Sequence, residues 1–304
     1  MSGSITLENR FGVNKMELIS LKYAIFVIVL LVLYYCFPKK YRWYVLLAGS
    51  MAYYVIICKW YVLFIIFTIC TTYGSTIWID KLLKKQNAIV KSHKEDWDRQ
   101  TRKDYKEKGR KKRVAVMLFA LLCNFGILAF LKYIPYAGEL GLLLPLGISF
   151  YTFQSMGYVM DVYREIVEPE KNFLKVALFV SFFPQIIQGP IAIYDKLAGQ
   201  LYEGHSLRLE NLQKGALLVL WGVMKKLVIA DRAVNIINFV MDKPMDFSGT
   251  YVFFAAVVYA LQLYADFSGG IDIVRGIAEM FGITMSTNFN HPYFSRSLTE
   301  YWHL

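Results

Sequence analysis

Leu21-Lys-Tyr-Ala-Ile-Phe-Val-Ile-Val-Leu-Leu-Val-Leu-Tyr-Tyr-Cys-Phe37 is the run on which the fold class turns. It is close to the roughly 20 residues that an α-helix needs to cross about 30 Å of hydrocarbon. A polar tail over residues 1–20 precedes it and Pro38-Lys39-Lys40 follows it in place of a small-residue cleavage site. It therefore reads as a retained helix and not as a removed signal peptide. Runs of the same kind occupy 43–58, 60–79 and 114–131. The composition agrees, since 56% hydrophobic and 19% charged residues with a mean hydropathy of +0.38 over 304 residues are too apolar for a soluble domain of this size. The fold class expected is all-α: a polytopic integral membrane helical bundle, with 1–304 as a single membrane domain.

A net charge of +11 raises the question of a nucleic-acid partner, and the location of the charge answers it. Between Lys81 and Arg113 lie fourteen lysines and arginines against five acids, nearly the whole excess. One basic loop over 80–113, a charged helix pair or a partly disordered segment, thus owns the charge. Lys39, Lys40 and Arg42 mark a second basic turn. The positive-inside rule puts both on the cytoplasmic face and the N-terminus outside. Two spans separate the two loops, the number required for both to lie on one face. Nucleic acid becomes an unnecessary hypothesis.

After Leu131 the apolar segments change character and carry Pro, Gly, Gln and Asp inside them, over 141–160, 173–193, 215–241, 251–267 and 271–283. Pro145-Leu-Gly147 and Gln185-Ile-Ile-Gln-Gly-Pro190 would break helices. Non-helical backbone at membrane depth is tolerated only where protein or a watery cavity receives it, so broken or re-entrant helices around a cavity are expected. Polar residues gather at Pro145-Leu-Gly-Ile-Ser-Phe-Tyr-Thr-Phe-Gln154, at Phe182-Phe-Pro-Gln-Ile-Ile-Gln-Gly-Pro190 and at Gln262-Leu-Tyr-Ala-Asp-Phe-Ser-Gly-Gly270. In the last of these, Gln262 and Asp266 share a helical face, with glycines beyond that allow close backbone approach. Such a face suits the wall of a polar cavity or, equally, hydrogen bonds that glue a bundle.

Other ionisable residues read more plainly. Asp272, Arg275 and Glu279, at spacings of three and four, form an acid–base–acid ladder that neutralises itself along one helix. Lys225 and Lys226 read as a helix end at the membrane interface, since lysines snorkel. His93 and His205 fall in polar segments, and His291 sits in the turn-like Asn288-Phe-Asn-His-Pro-Tyr293. Cys36, Cys58, Cys70 and Cys123 lie in or at the ends of apolar runs with no CxxC pair and no neighbouring histidine, so neither a disulfide framework nor a metal site is indicated.

Four segments in order carry a resemblance: Leu144-Pro-Leu-Gly-Ile-Ser-Phe-Tyr-Thr-Phe-Gln154, Phe182-Phe-Pro-Gln-Ile-Ile-Gln-Gly-Pro-Ile191, Tyr264-Ala-Asp-Phe-Ser-Gly269 with Met280-Phe-Gly282, and Asn288-Phe-Asn-His-Pro-Tyr-Phe-Ser-Arg-Ser297. From about Met16 onward the chain resembles the membrane-bound O-acyltransferase family, in the bacterial branch of alginate O-acetylases, peptidoglycan O-acetyltransferases and the D-alanyl transfer protein of teichoic acid synthesis. In that family the last segment leads through an acidic-aromatic-Trp step and two further residues to a Trp-His pair. Glu300-Tyr301-Trp302 fills the step and His303-Leu304 the two positions, so the expected catalytic histidine lies just beyond Leu304. A second alignment makes Trp302-His303 the pair itself.

The resemblance implies acyl transfer, acetyl in the first reading, from a cytoplasmic thioester to a hydroxyl of an extracytoplasmic polysaccharide or cell-wall polymer. The donor is acetyl-CoA or an acyl carrier thioester, with no bound cofactor. A histidine would act as general base on the hydroxyl. It implies Gln154, Gln185, Asp266, Asn288 and His291 as residues lining the substrate cavity. The partners implied are the lipid bilayer, the polymer acceptor, and an acyl carrier or an extracytoplasmic acyltransferase. The location implied is the bacterial cytoplasmic membrane, with the chain as the N-terminal part of the enzyme. D-alanyl transfer to teichoic acid is the alternative within the family. A non-catalytic remnant, or a transporter, for which broken helices and buried Asp and Gln would also be expected, is the alternative of another class.

Overall fold

The computed structural model describes residues 18–93, 95–133, 144–287, 292–297 and 299–300. Among them every regular element is helical. Three helical segments, Lys39–Ser92, Arg99–Tyr133 and Gly249–Met280, are long and apolar enough to cross a membrane. Exposure runs opposite to that of a soluble protein. Leu118, Phe119, Leu122, Phe253 and Phe254 are exposed, while Ser50, Thr72, Asn124, Gln154 and Asp272 are buried. An apolar exterior around polar interior contacts is the pattern of a chain whose solvent is lipid. The protein is an all-α membrane protein.

The chain forms two compact units. The first is built on Leu46–Ile186 and Ile193–Tyr202. Its helices are α2 (Arg42–Cys58, entering from the other unit), α3 (Val62–Ser92), α4 (Arg99–Tyr133), α5 (Ile148–Tyr163), α6 (Phe173–Ser181), α7 (Phe183–Gln188) and α8 (Tyr194–Glu203). Lys59 turns the chain between α2 and α3 with a left-handed backbone (φ 47°). The Asn124 amide donates to Thr71 Oγ1 at 2.9 Å and joins α4 to α3. Such interhelical bonds are the expected glue where lipid supplies no hydrophobic drive between helices.

The basic stretch over 80–113 is a charged helix pair. Continuing past the apolar part, α3 runs to Ser92, and α4 starts at Arg99. Lysine, arginine and glutamate are good helix formers, and the pairs Lys84–Asp80 (2.6 Å) and Lys111–Glu107 (3.4 Å) lie one turn apart. Asp98 starts α4, its carboxylate accepting the Thr101 amide at 3.0 Å. Bonds from the Thr101 side chain and amide hold that carboxyl below the usual carboxylate range.

The second unit is built on Met16–Val45, Ile187–Ala192 and Glu203–Leu304. It holds α1 (Leu21–Cys36), α9 (Leu209–Met224), a π-helical segment (Lys225–Ala230), α10 (Asp231–Met241) and α11 (Gly249–Met280). Ser20 caps α1 by accepting the Tyr23 amide, and the Tyr35 hydroxyl donates to the Met280 carbonyl at 2.7 Å. The Arg42 guanidinium bonds the His205 carbonyl, while the Tyr34 hydroxyl accepts the His205 amide at 3.0 Å. His205 is therefore half-buried and held by its backbone. One expectation is overturned outright: 251–267 and 271–283 are not two segments but one 32-residue helix, α11. Gly269 and Gly270 do not break it, because each faces a close neighbour instead of water.

Candidate functional site

The helices α9 and α11 meet through glycines. Gly215 faces Gly276 and Gly222 faces Gly269, so the two helices run antiparallel with their backbones nearly touching. A Cβ added at Gly215 would lie 2.5 Å from the Gly276 carbonyl oxygen, and one at Gly276 would lie 2.6 Å from that of Gly215. On each helix seven residues, close to two helical turns, separate the two glycines, which keeps both on one stripe.

Immediately after this contact α9 passes into the π-helical segment. Its wider turn is a feature frequent at functional sites. The segment opens with Lys225 and Lys226, and both reach carboxylates on α11. Lys225 Nζ is 2.7 Å from Asp272 Oδ2, and Lys226 forms an ion pair with Asp266. On its other oxygen Asp272 takes Arg275 Nη1 at 3.3 Å, so one carboxylate bridges two cations. Trp221 and Tyr264 present ring faces 5.6 and 5.9 Å from Lys225 Nζ. Such a ring stabilises a partly desolvated cation.

The two pairs differ in access. Side-chain exposure is 14% and 13% for Lys225 and Asp272, against 19% and 40% for Lys226 and Asp266. The first pair is an internal brace. In the second, Asp266 keeps an open side on which a polar group can land. Ser268 Oγ and Arg275 Nε, on the same helix, are buried without a hydrogen-bond partner among the described residues. A set of two lysines, one arginine and two aspartates can neutralise a charge, orient a hydroxyl or carbonyl, and exclude lipid. Among the described residues no cluster of His, Cys, Asp and Glu suits a metal ion.

Lys225 and Lys226 differ from the expectation of a snorkelling helix end. They do not end a helix at the interface; they continue one, paired and mostly buried. A clue was available in the two consecutive cations followed by Asp231 and faced, forty residues on, by acids in an equally apolar stretch. The ladder Asp272, Arg275, Glu279 forms in its first half only, since Glu279 accepts the Thr284 hydroxyl at 3.1 Å.

The expected lining residues belong to different units. Gln154 and Gln185, 3% and 2% exposed, belong to the first unit and Asp266 to the second. Gln154 Nε2 donates to the Phe179 carbonyl at 2.9 Å. Helix α6 stops at Ser181, and the chain breaks at Phe182 before α7, where Ser50 Oγ accepts the Phe183 amide at 3.1 Å. Gln185 sits in α7 just past this break. Gly147, left-handed at φ +70°, lies against the Ile186 carbonyl with no room for a Cβ. The Pro145–Gln154 and Phe182–Ile186 motifs are therefore packed on each other, with the breaks in backbone hydrogen bonding satisfied by side chains, as a helix broken in lipid requires. Gln188 and Gly270 meet in the second unit. Asn288 and His291 lie outside the described residues, as do Trp302 and His303.

With this geometry in hand, comparison with curated proteins is informative. The chain is 32% identical over 224 residues, 61% of its length, to a peptidoglycan O-acetyltransferase of Helicobacter pylori. It is 37% identical over 162 residues, 53% of its length, to a probable alginate O-acetylase of Pseudomonas syringae pv. tomato. The chain is homologous to bacterial O-acyltransferases. It is also 25% identical over 163 residues to a teichoic acid D-alanyltransferase of Bacillus subtilis. The matched part spans 42%, 30% and 40% of those three relatives, so the chain covers less than half of each. No family model matches the chain.

Proposed function

We propose that this chain belongs to a membrane O-acyltransferase that moves an acetyl group from a cytoplasmic thioester to a hydroxyl of an extracytoplasmic polysaccharide or cell-wall polymer. The observation that carries the reading is the 32–37% identity to O-acetyltransferases acting on such polymers by name. The lower identity to the D-alanyltransferase, 25%, favours acetyl over D-alanyl transfer.

The broken α6–α7 pair and the buried cations and carboxylates of α9–α11 support it physically. Polar groups set in lipid are costly and are retained where they serve a path or a site. In the proposed enzyme Gln154, Gln185, Asp266, Asn288 and His291 are the candidates for contact with substrate. The spans cross the membrane several times, with the α3–α4 hairpin in the cytoplasm and the N-terminus outside.

The test is acyl transfer by membranes carrying the complete product of the gene. Radiolabel should pass from acetyl-CoA to polymer, and transfer should fall by about tenfold on Asp266→Asn, the loss expected for one charge-assisted contact. Transfer that depends on a D-alanylated carrier protein instead would favour the teichoic acid alternative. Absence of transfer from either donor overturns the reading.

A further inference from the structure

In the first unit, the α3–α4 hairpin and Glu165 frame an open cavity of about 430 Å³. Lys103, Lys106, Arg110 and Arg113 line it from one stripe of α4 at spacings of three, four and three. Glu107 and Glu165 are the acids in its wall, which leaves the cavity positive. Its floor is a built one. Gln86 of α3, 6% exposed, donates its side-chain amide to the Lys106 carbonyl at 3.2 Å, and its head fits against Gly109, where a side chain would collide. Arg113, 8% exposed, is held by Glu165 through a 3.0 Å contact from Nη1, and its Nε has no partner among the described residues.

Glu165 itself is strained into place. It is one of two non-glycine residues with a left-handed backbone among those described (φ 64°), in the position after α5 where glycine is usual. Its amide bonds the Val162 carbonyl and that of Ile166 the Asp161 carbonyl, the paired bonds that end a helix this way. Strain of this kind persists where surrounding structure over-determines it, and it clusters at ligand clamps.

The level of the cavity on the helices narrows its ligand. Arg113 directly precedes the apolar run of α4 that starts at Val114, and the apolar part of α3 ends near Asp80. Gln86, six residues further, is about 9 Å along the axis at 1.5 Å per residue. The headgroup layer adds roughly 5–7 Å to each side of the hydrocarbon, so the cleft, which starts at Arg113 and reaches just past that layer at Gln86, spans it. Basic pockets between helices at this depth suit phosphate headgroups.

We propose that the α3–α4 cleft is a phosphate-binding site, with Lys106, Arg110 and Arg113 as its donors. A phospholipid headgroup and a phosphate-bearing solute share this chemistry, and the experiment separates them. The complete protein, purified in detergent, is equilibrated with phosphatidylglycerol or phosphatidylcholine, and retained lipid is counted by native mass spectrometry. A parallel arm measures thermal stabilisation by inorganic phosphate.

Phosphatidylglycerol retained about tenfold over phosphatidylcholine, with that preference lost in Lys106→Gln/Arg110→Gln and kept in Lys108→Gln, is the result expected for a lipid headgroup. Stabilisation by inorganic phosphate alone, lost in the same double variant, assigns the site to a soluble ligand. Equal behaviour of wild type and double variant in both arms, with unchanged helicity by circular dichroism, overturns the proposal. So does an equal loss in Lys108→Gln, since that would be a diffuse effect of basic charge.

Discussion

Lys225 Nζ lies 2.7 Å from Asp272 Oδ2, inside a helical stretch with no other charge for ten residues before it. Neither group is affordable there alone, because an isolated charge out of water costs far more than a paired one. With both side chains under 15% exposed, removing Asp272 strands Lys225 and Arg275, whereas removing Lys225 leaves Asp272 paired with Arg275. We expect Asp272→Leu, which strands both cations, to lower stability by about 3 kcal/mol, and Lys225→Met/Asp272→Leu to recover part of that loss. Unfolding of both variants in detergent checks this as a double-mutant cycle. Additive losses would mean that the pair is not coupled.

The glycine seam between α9 and α11 makes a steric prediction. Gly276→Ala places a methyl group against the Gly215 carbonyl and the Val219 side chain, and should destabilise by about 1–3 kcal/mol. Gly157→Ala, in α5 with open space around it, should be neutral or stabilise by up to about 1 kcal/mol through helix propensity. Thermal melts of the two variants should move in different directions. A common shift would mean that the close approach is not a constraint.

Gln154 and Asp266 are both expected to line the substrate cavity, and Gln154 also bonds a backbone carbonyl. Gln154→Leu removes the bond to the Phe179 carbonyl and should cost about 1 kcal/mol, the scale of hydrogen bonds between helices in membranes. If Gln154 acts only through this bond, the acyl transfer proposed for the complete protein should fall in proportion to folded protein. A loss of turnover at full occupancy would place it in contact with substrate instead.

Backbone strain at Glu165 can be separated from its ion pair with Arg113. Glu165→Ala removes the pair and keeps the left-handed strain, whereas Glu165→Gly removes both. The glycine variant should therefore be the more stable of the two by about 1 kcal/mol. Equal stabilities would show that the turn costs nothing.

Orientation in the membrane is testable by labelling. In a background where Cys36, Cys58, Cys70 and Cys123 are replaced, Lys108→Cys should react with an impermeant maleimide only after cells are opened, and Ser4→Cys should react in intact cells. Reaction of Lys108→Cys in intact cells would reverse the topology derived from the basic loops.

Much of this was legible along the chain. Apolar runs of span length determine an all-α membrane protein, because hydrocarbon admits only segments that satisfy their own backbone. The excess of charge in one hairpin, the broken character of the second half and the motifs around Gly147, Gln185 and Asp266 were likewise readable, since composition and local stereochemistry are properties of neighbours in sequence. The partners were not. Periodicity says that Gln262 and Asp266 share a face, but it cannot say that Lys226 comes to meet Asp266 from forty residues away. Read alone, Lys225 and Lys226 look like a snorkelling helix end. Only the packing of α9 on α11 converts them into an internal charge cluster, because a glycine seam lets two backbones approach closely enough for short aspartates to reach. The same holds for Gln154, whose acceptor exists only because α6 stops at Ser181 and leaves a carbonyl free.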